Sequence, residues 1–320
     1  TNSGIPTQGI AFYHQSTLDL LQGLSCSVGL RYDYEHARCD FSKVQQPLNG
    51  NGETKSLEQF NRSLHFGQFT PRFSMQYLSS HNQLFYASVS KGYKAGGFNV
   101  SFLNNDDYLY SPEYNWNYEI GTKLSFLNNR LSADLSLFYI DWRNQQITNT
   151  IPTVGNVIRN AGRSRNKGIE ASFQARPTKS WMMYMNYGYT DARFVHYQKE
   201  ERGILKDYGG NYLPMVPRHT FSLTTGYSFY DICSWIDRLT LNAGVSVTGP
   251  IYWYEDNQAK QSPYALVNLR ISINKGCFTW EVWSKNLTNT DYLSYYFVTS
   301  KAYAQKGKPI TLGTSVSISL

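Results

Sequence analysis

The sequence predicts an all-β fold of the transmembrane antiparallel β-barrel class. Three observations predict it: period-two alternation along the whole chain, connections that alternate short and long, and an excess of aromatic residues. From Leu24 the even positions read Leu24, Cys26, Val28, Leu30, Tyr32 and Tyr34, and the odd ones Ser25, Ser27, Gly29, Arg31, Asp33 and Glu35. Successive strand residues point to opposite faces, so one face suits lipid and the other water. The same division sets Leu239, Leu241, Ala243, Val245 and Val247 against Thr240, Asn242, Gly244, Ser246 and Thr248. It sets Ala265, Val267, Leu269, Ile271 and Ile273 against Leu266, Asn268, Arg270, Ser272 and Asn274, and it closes the chain with Ile310, Leu312, Val316, Ile318 and Leu320 against Thr311, Gly313, Ser315, Ser317 and Ser319.

Read in order, this alternation predicts about thirteen strands, at 8–18, 23–38, 68–79, 84–96, 114–127, 130–146, 161–177, 180–195, 216–229, 238–252, 262–275, 278–293 and 308–320. The connections near 19–22, 80–83, 127–130, 177–180 and 275–277 are short, with a slightly longer one at 230–237. Those near 39–67, 97–113, 147–160, 196–215, 253–261 and 294–307 are long. Outer-membrane barrels have short periplasmic turns and longer extracellular loops, which this rhythm matches. Such barrels carry an even number of strands, and an open sheet in lipid leaves backbone groups unpaired. About thirteen strands are therefore expected to be the C-terminal part of a larger barrel, with residues 1–320 one incomplete unit and Thr1 on the extracellular side.

Composition agrees. A transmembrane helix needs about 20 consecutive apolar residues, which this chain nowhere has; a barrel strand needs only about 9–11, alternately apolar, so a negative mean hydropathy does not exclude it. The 26 Tyr, 17 Phe and 7 Trp suit interfacial girdles. The net charge of +7 is scattered and forms no basic block or helix face, which argues against a nucleic-acid partner. Cys26, Cys39, Cys233 and Cys277 show neither zinc spacing nor a C-x-x-C pair. Cys26 and Cys39 lie roughly 43 Å apart on an extended strand at about 3.3 Å per residue and so cannot join. A disulfide between Cys233 and Cys277, both in predicted periplasmic turns, is allowed, but unpaired thiols are favoured. No nucleophile, base and orienter, no ligand cluster and no phosphate-binding loop is visible, so an enzyme is not expected.

The residues then resemble a known family. The stretch from Tyr86 to Asn99 (Tyr-Ala-Ser-Val-Ser-Lys-Gly-Tyr-Lys-Ala-Gly-Gly-Phe-Asn) is followed by Pro112-Glu113 and Tyr118-Glu119-Ile120-Gly121-Thr122-Lys123. Further matches are Gly29-Leu30-Arg31-Tyr32-Asp33, Asn160-Ala161-Gly162, Lys167-Gly168-Ile169-Glu170, Val216-Pro217-Arg218-His219 and Lys285-Asn286-Leu287-Thr288-Asn289. In this order, over essentially the whole chain, they resemble the TonB-dependent outer-membrane receptors. The resemblance implies a 22-stranded barrel of which this chain supplies the last thirteen strands, a plug domain and first strands lying outside it, and a cell outer membrane of a Gram-negative bacterium. It implies energy-coupled import through the TonB–ExbB–ExbD complex, with a ferric siderophore or other iron complex as ligand and cobalamin, haem or a glycan as alternatives. Iron then enters only within the transported complex, and no resident cofactor is expected. Two departures stand out. Leu320 occupies the final position, where the family carries an aromatic, and the paired-histidine loop motif of haem receptors is absent from His14, His36, His65, His81, His196 and His219. A passive porin-like channel and a soluble all-β binding protein are the competing readings.

Two groups of candidate residues follow. Lumen-facing charges at Arg31, Asp33, Glu119, Lys123, Asp134, Glu170, Arg270, Glu281 and Lys285 are expected to face the plug, or simply to keep a hydrated wall. Ligand candidates lie at the long-loop end: Lys91 and Lys94, then Tyr108 and Tyr110, then His196, Tyr197, Lys199, Arg202, Lys206, Tyr208 and Tyr212, and finally Trp253 and Tyr254. Cations beside aromatics suit an anionic, partly aromatic metal chelate, whereas the plainer alternative for each aromatic is the membrane girdle.

Overall fold

A computed structural model of the chain describes residues 2–45, 55–151, 154–160, 162–201, 204–298 and 301–319. Thirteen long strands dominate it: β1 (Thr7–Leu21), β2 (Leu24–Gln45), β3 (Lys55–Leu78), β4 (Leu84–Lys94), β5 (Glu113–Phe126), β6 (Leu131–Arg143), β7 (Arg163–Ala175), β8 (Trp181–His196), β9 (His219–Cys233), β10 (Ile236–Thr248), β11 (Tyr264–Lys275), β12 (Phe278–Lys285) and β13 (Thr311–Ile318). Each pairs antiparallel with its sequence neighbour in one sheet. Asn2–Gly4 prolongs the line of β1 along β2. Among the described residues β1 and β13 each pair on one side only, so the sheet is an open stretch of barrel wall. Unpaired edges cannot persist in hydrocarbon, so closure in a membrane requires strands beyond these thirteen.

The register carries the apolar face unbroken from strand to strand. Phe12 lies opposite Tyr32, Tyr32 opposite Phe69, Leu137 between Ile120 and Ile169, and Leu241 between Tyr227 and Ile271. These side chains stand bare: Phe12, Ile120, Leu241 and Ile271 are all exposed. A bare belt that runs unbroken across the sheet is what a lipid-facing wall presents. On the opposite face Asn242 sits between Gly226 and Arg270.

The principal correction concerns the loop expected at 39–67. Much of it is strand: β2 runs on to Gln45 and β3 begins at Lys55, with Cys39 opposite Arg62 and Phe41 opposite Phe60. The alternation does not stop here but inverts. Below this level outward residues are apolar; above it the outward Arg38 and Asp40 pair with each other at 3.2 Å, while Ala37, Cys39 and Phe41 turn inward and are buried with Phe98. The wall projects beyond the lipid, where the outer surface meets water and the inner one is covered by loops. Conversely, strands expected to reach residues 252 and 293 stop at Thr248 and Lys285. The long connections contain two-stranded ribbons of their own, at 146–151 with 155–160, 198–201 with 204–207, 251–252 with 260–261, and 293–298 with 302–306.

Short turns are set by local chemistry. Gly23 has φ +79° between β1 and β2, and a β-carbon there would lie 2.2 Å from the Leu78 carbonyl oxygen. Gly23→Ala is therefore expected to cost about 1–2 kcal/mol from the left-handed conformation alone, with the steric clash in addition, read as a lowered unfolding midpoint in the full-length protein. Leu127, Asn128 and Asn129 all have positive φ in the β5–β6 turn. All four cysteines are free thiols; Cys233 and Cys277 are exposed and unbridged, in line with the expectation of unpaired thiols. Leu320 lies outside the described residues.

Candidate functional site

The inner wall and the rim of loops above it are the two places where polar chemistry gathers. On the wall, the register puts Arg31, Asp33, Glu119, Lys123, Asp134, Glu170, Arg270, Glu281 and Lys285 on the face opposite the apolar belt. Tyr86 donates its hydroxyl to Glu119 at 2.6 Å, and with Lys123, Asp134 and Glu170 these groups line a recess of about 220 Å³. Arg31 forks onto Asp33 at 2.6–2.9 Å. Ser272 donates to Glu281 at 2.8 Å with Arg270 3.9 Å from the same carboxylate, and the Lys285 ammonium stands 5.3 Å from the Trp283 ring centre. Charges on this face cost little because the lumen is wet. Gly121 is close-packed against Tyr86, whose hydroxyl would be 2.6 Å from a β-carbon. The glycine in the Glu-Ile-Gly segment thus makes room for the tyrosine that reaches Glu119.

The rim is knitted together loop to loop. Asn99, ending the Lys-Ala-Gly-Gly-Phe-Asn segment, is buried; its amide donates to the carbonyls of Asp107 and Ile158 at 2.7 and 2.8 Å and its oxygen accepts from the Ile158 N–H at 2.8 Å. Beside it Arg159 grips Asp107 with two bonds of 2.7 and 2.8 Å. The Arg159 guanidinium holds the Asp107 carboxyl below the usual aspartate range, against the opposing effect of burial. The Ser111 N–H donates to the Asn160 side-chain oxygen and the Ser111 carbonyl accepts from the Asn160 amide, and Glu113 accepts from the Gln146 N–H while facing Lys94 at 3.9 Å. These bonds join the loop after β4 to the ribbon after β6.

The loops after β8, β10 and β12 form a second block. The Asn257 side chain clips the Tyr212 backbone, Asn211 donates to the Glu255 carbonyl, and Lys199 lies 3.8 Å from the Glu255 carboxylate. Tyr254 accepts the Val298 N–H at 2.6 Å, and burial pushes its phenol up. Asn286 is buried where β12 ends; it donates to the Thr290 and Lys308 carbonyls and accepts the Thr290 N–H.

The sequence candidates distribute unevenly over this rim. Tyr108 is buried against Phe60 and Phe102 and hydrogen-bonds Glu58; burial raises the Tyr110 phenol beneath the same loop. Tyr197 and Tyr208 are buried in a cluster with Phe194 and Leu213. Trp253 is buried near Tyr295 and Tyr296, linking two loops. Lys199 and Lys206 face each other across the 198–207 ribbon, and His196 is exposed at the top of β8. Lys94 points inward beside Glu113, whereas Lys91 stands opposite Trp116 on the outward face, 5.3 Å from the Tyr114 ring centre. Tyr212 bridges Arg193 on that outward face, its ring under the Arg193 and Arg218 guanidinium groups and stacked on Tyr252. Arg202 lies outside the described residues. The sequence reading missed Asn99, Asp107, Arg159 and Glu113 as rim fasteners. An Asn closing a Gly-Gly-Phe segment and an Asp two residues past Asn105 were the available signals, but their partners lie 59 and 52 residues on.

Residues 1–289 match the family described as TonB dependent receptor-like, beta-barrel. The chain is 26% identical over 241 residues, 70% of its length, to a probable TonB-dependent siderophore receptor of Acinetobacter baumannii, and covers 30% of that protein. It is 24% identical over 322 aligned residues to the pesticin receptor of Yersinia pestis, covering 97% of this chain and 43% of that one. Among solved structures it superposes on the ferric yersiniabactin uptake receptor of Yersinia pestis with a TM-score of 0.82 at 21% identity, covering 99% of this chain and 46% of the other. The siderophore receptor of Acinetobacter baumannii gives 0.77 at 20% identity, covering 98% and 42%. The chain thus spans less than half the length of these relatives. With a continuous apolar belt outside, a charged wall inside and a sequence matching the family over most of its length, the chain belongs to the TonB-dependent receptors and forms part of their outer-membrane β-barrel.

Proposed function

We propose that the full-length protein imports a ferric siderophore across the outer membrane, using the rim as part of its ligand-binding surface and drawing energy from the TonB–ExbB–ExbD complex through a plug domain seated against the charged wall. What supports this reading is that one relative, matched over 70% of this chain, is named a probable TonB-dependent siderophore receptor, and another, 24% identical over 73% of the chain, is the ferrichrome outer membrane transporter of Escherichia coli. The rim's mixture of tyrosine, tryptophan and cations suits an anionic chelate with aromatic parts. The wall carries both signs of charge, which a polar plug can pair with and release.

The test is uptake of radiolabelled iron on a panel of hydroxamate, catecholate and phenolate siderophores by cells whose only such receptor is the full-length protein. Accumulation of at least one chelate, abolished by deleting TonB, is the expected result. Accumulation unaffected by loss of TonB, accompanied by leak of unrelated small solutes, means a passive channel instead.

A further inference from the structure

Two histidines stand side by side on the outer face of the wall, and neither the inner wall nor the rim uses them. The register sets His36 of β2 directly opposite His65 of β3, on the face that carries Tyr32 and Phe69. Their rings stack with centroids 4.5 Å apart and 15° between the planes. The Tyr34 hydroxyl meets Nδ1 of His65 at 2.9 Å. His65 is exposed and His36 half-buried. The pair lies four residues above Tyr32 and Phe69 and just below Arg38, whose charge Asp40 engages at 3.2 Å, so it stands where the outer surface passes from lipid to water.

Imidazole is a ligand for copper, zinc and nickel, and opposite residues of an antiparallel pair bring their β-carbons to about 4.5–5.5 Å. Metal to nitrogen bonds are about 2.0–2.1 Å, so rings stacked 4.5 Å apart need only a small turn about their side-chain torsions to hold one ion between them. Tyr34 supplies orientation. With Nδ1–H of His65 donating to the Tyr34 oxygen, the Nε2 lone pair is left free, which is how a ligating histidine is commonly fixed. Gln8 lies opposite His36 on its other side, where its amide oxygen and water can complete the donor set. Among the described residues no third histidine, cysteine or carboxylate joins the pair. The site is therefore an open one with two imidazoles, and Cu(II) heads the order of affinity for such nitrogen donors.

Position gives the ion a task. β3 pairs with β4 only from Arg72 to Leu78, whereas from Lys55 to Pro71 its partner among the described residues is β2 alone. The upper hairpin thus leaves the continuous wall at Pro71, and the histidines join its two strands six residues above that departure. A slip of one residue between β2 and β3 turns every side chain to the other face and separates the pair. We propose that His36 and His65 form a binding site for a divalent first-row cation, tightest for Cu(II), which staples the base of the projecting β2–β3 hairpin.

The test uses the full-length protein in detergent, stripped with a chelator and titrated with Cu(II), Ni(II) and Zn(II) separately. Wild type is compared with His36→Gln, His65→Gln and His81→Gln, the last in the short β3–β4 turn at the opposite end of the wall, and folding is checked by heat-modifiable migration. Electron paramagnetic resonance counts the copper ions and their nitrogen ligands, and amide exchange follows the hairpin. Each of His36→Gln and His65→Gln is expected to lose one copper equivalent of the wild-type protein or to weaken it at least tenfold, while His81→Gln keeps it. Ni(II) and Zn(II) are expected to bind there more weakly than Cu(II). Copper should slow exchange over residues 34–40 and 61–68 in the wild type and leave it unchanged in the two variants, because an ion that binds only the folded pair stabilises it. Unchanged copper binding in both variants overturns the proposal, as does an equal loss in His81→Gln. Copper bound at the pair with no added protection of the hairpin overturns the staple.

Discussion

Leu241→Arg is expected to destabilise the full-length barrel by about 2–4 kcal/mol, because the side chain enters the lipid-facing belt near the middle of β10. Its neighbour Asn242→Arg is expected to cost at most about 1 kcal/mol, from the like charge of Arg270 directly opposite, because that position opens on the wet lumen between Gly226 and Arg270. The two substitutions add the same group one residue apart, so the contrast isolates the face and not the chemistry. Reversible denaturant unfolding of the protein in lipid vesicles measures it. Equal costs at the two positions contradict the assignment of faces.

The second large effect lies in the rim. Arg159→Ala leaves the Asp107 carboxylate buried beneath Leu103 without its cation. Removing one partner of a buried pair costs about 3–5 kcal/mol, and the partial exposure of Arg159 places the value near the lower end, about 3 kcal/mol. This cost falls on the connection between two loops, so it should appear as faster amide exchange over 97–110 and 155–160 with little change in the β9–β11 wall. Protonation offers the same perturbation without mutation. Arg159 depresses the Asp107 pKa in the folded loop, so the stabilisation is fully present above the ordinary aspartate value of about 3.9 and is lost as pH falls through the lower folded value. Protection of these segments, taken relative to the intrinsic exchange rate at each pH, should therefore hold at neutral pH and drop only in strong acid. Asp107→Asn removes that acid-sensitive step.

The barrel wall was legible in the sequence because its signal is local. Each strand declares its face through alternate residues, and turn residues such as Gly23 and Asn128 mark the ends. Thirteen strands were expected and thirteen form the wall, in the expected order. What misled the boundaries was a change of solvent. At Arg38 the outward positions turn polar and the inward ones apolar, so a search for outward apolar residues ends the strand although the backbone ladder continues to Gln45. The same inversion occurs in β8, where Ala192 and Phe194 turn inward and are buried while Asp191 and Arg193 turn out. The rim was less legible because its fasteners pair residues far apart in the chain. Asn99 with Ile158, Asp107 with Arg159 and Tyr254 with Val298 have no shared periodicity to reveal them. Hence the aromatic residues nominated from composition divide between structural packing, as for Tyr108 and Tyr197, and exposed or outward positions that composition cannot separate.

The central claim is that one face of this sheet meets lipid and the other water. Spin labels placed singly at positions 239 to 247 of the full-length protein, in a cysteine-free background reconstituted in bilayers, test it most directly. The account predicts that accessibility to oxygen peaks at Leu239, Leu241, Ala243, Val245 and Val247, and that accessibility to a water-soluble nickel complex peaks at Thr240, Asn242, Gly244 and Ser246, the two curves oscillating with period two and out of phase. Uniform aqueous accessibility along the strand, or oscillations in phase, would contradict it.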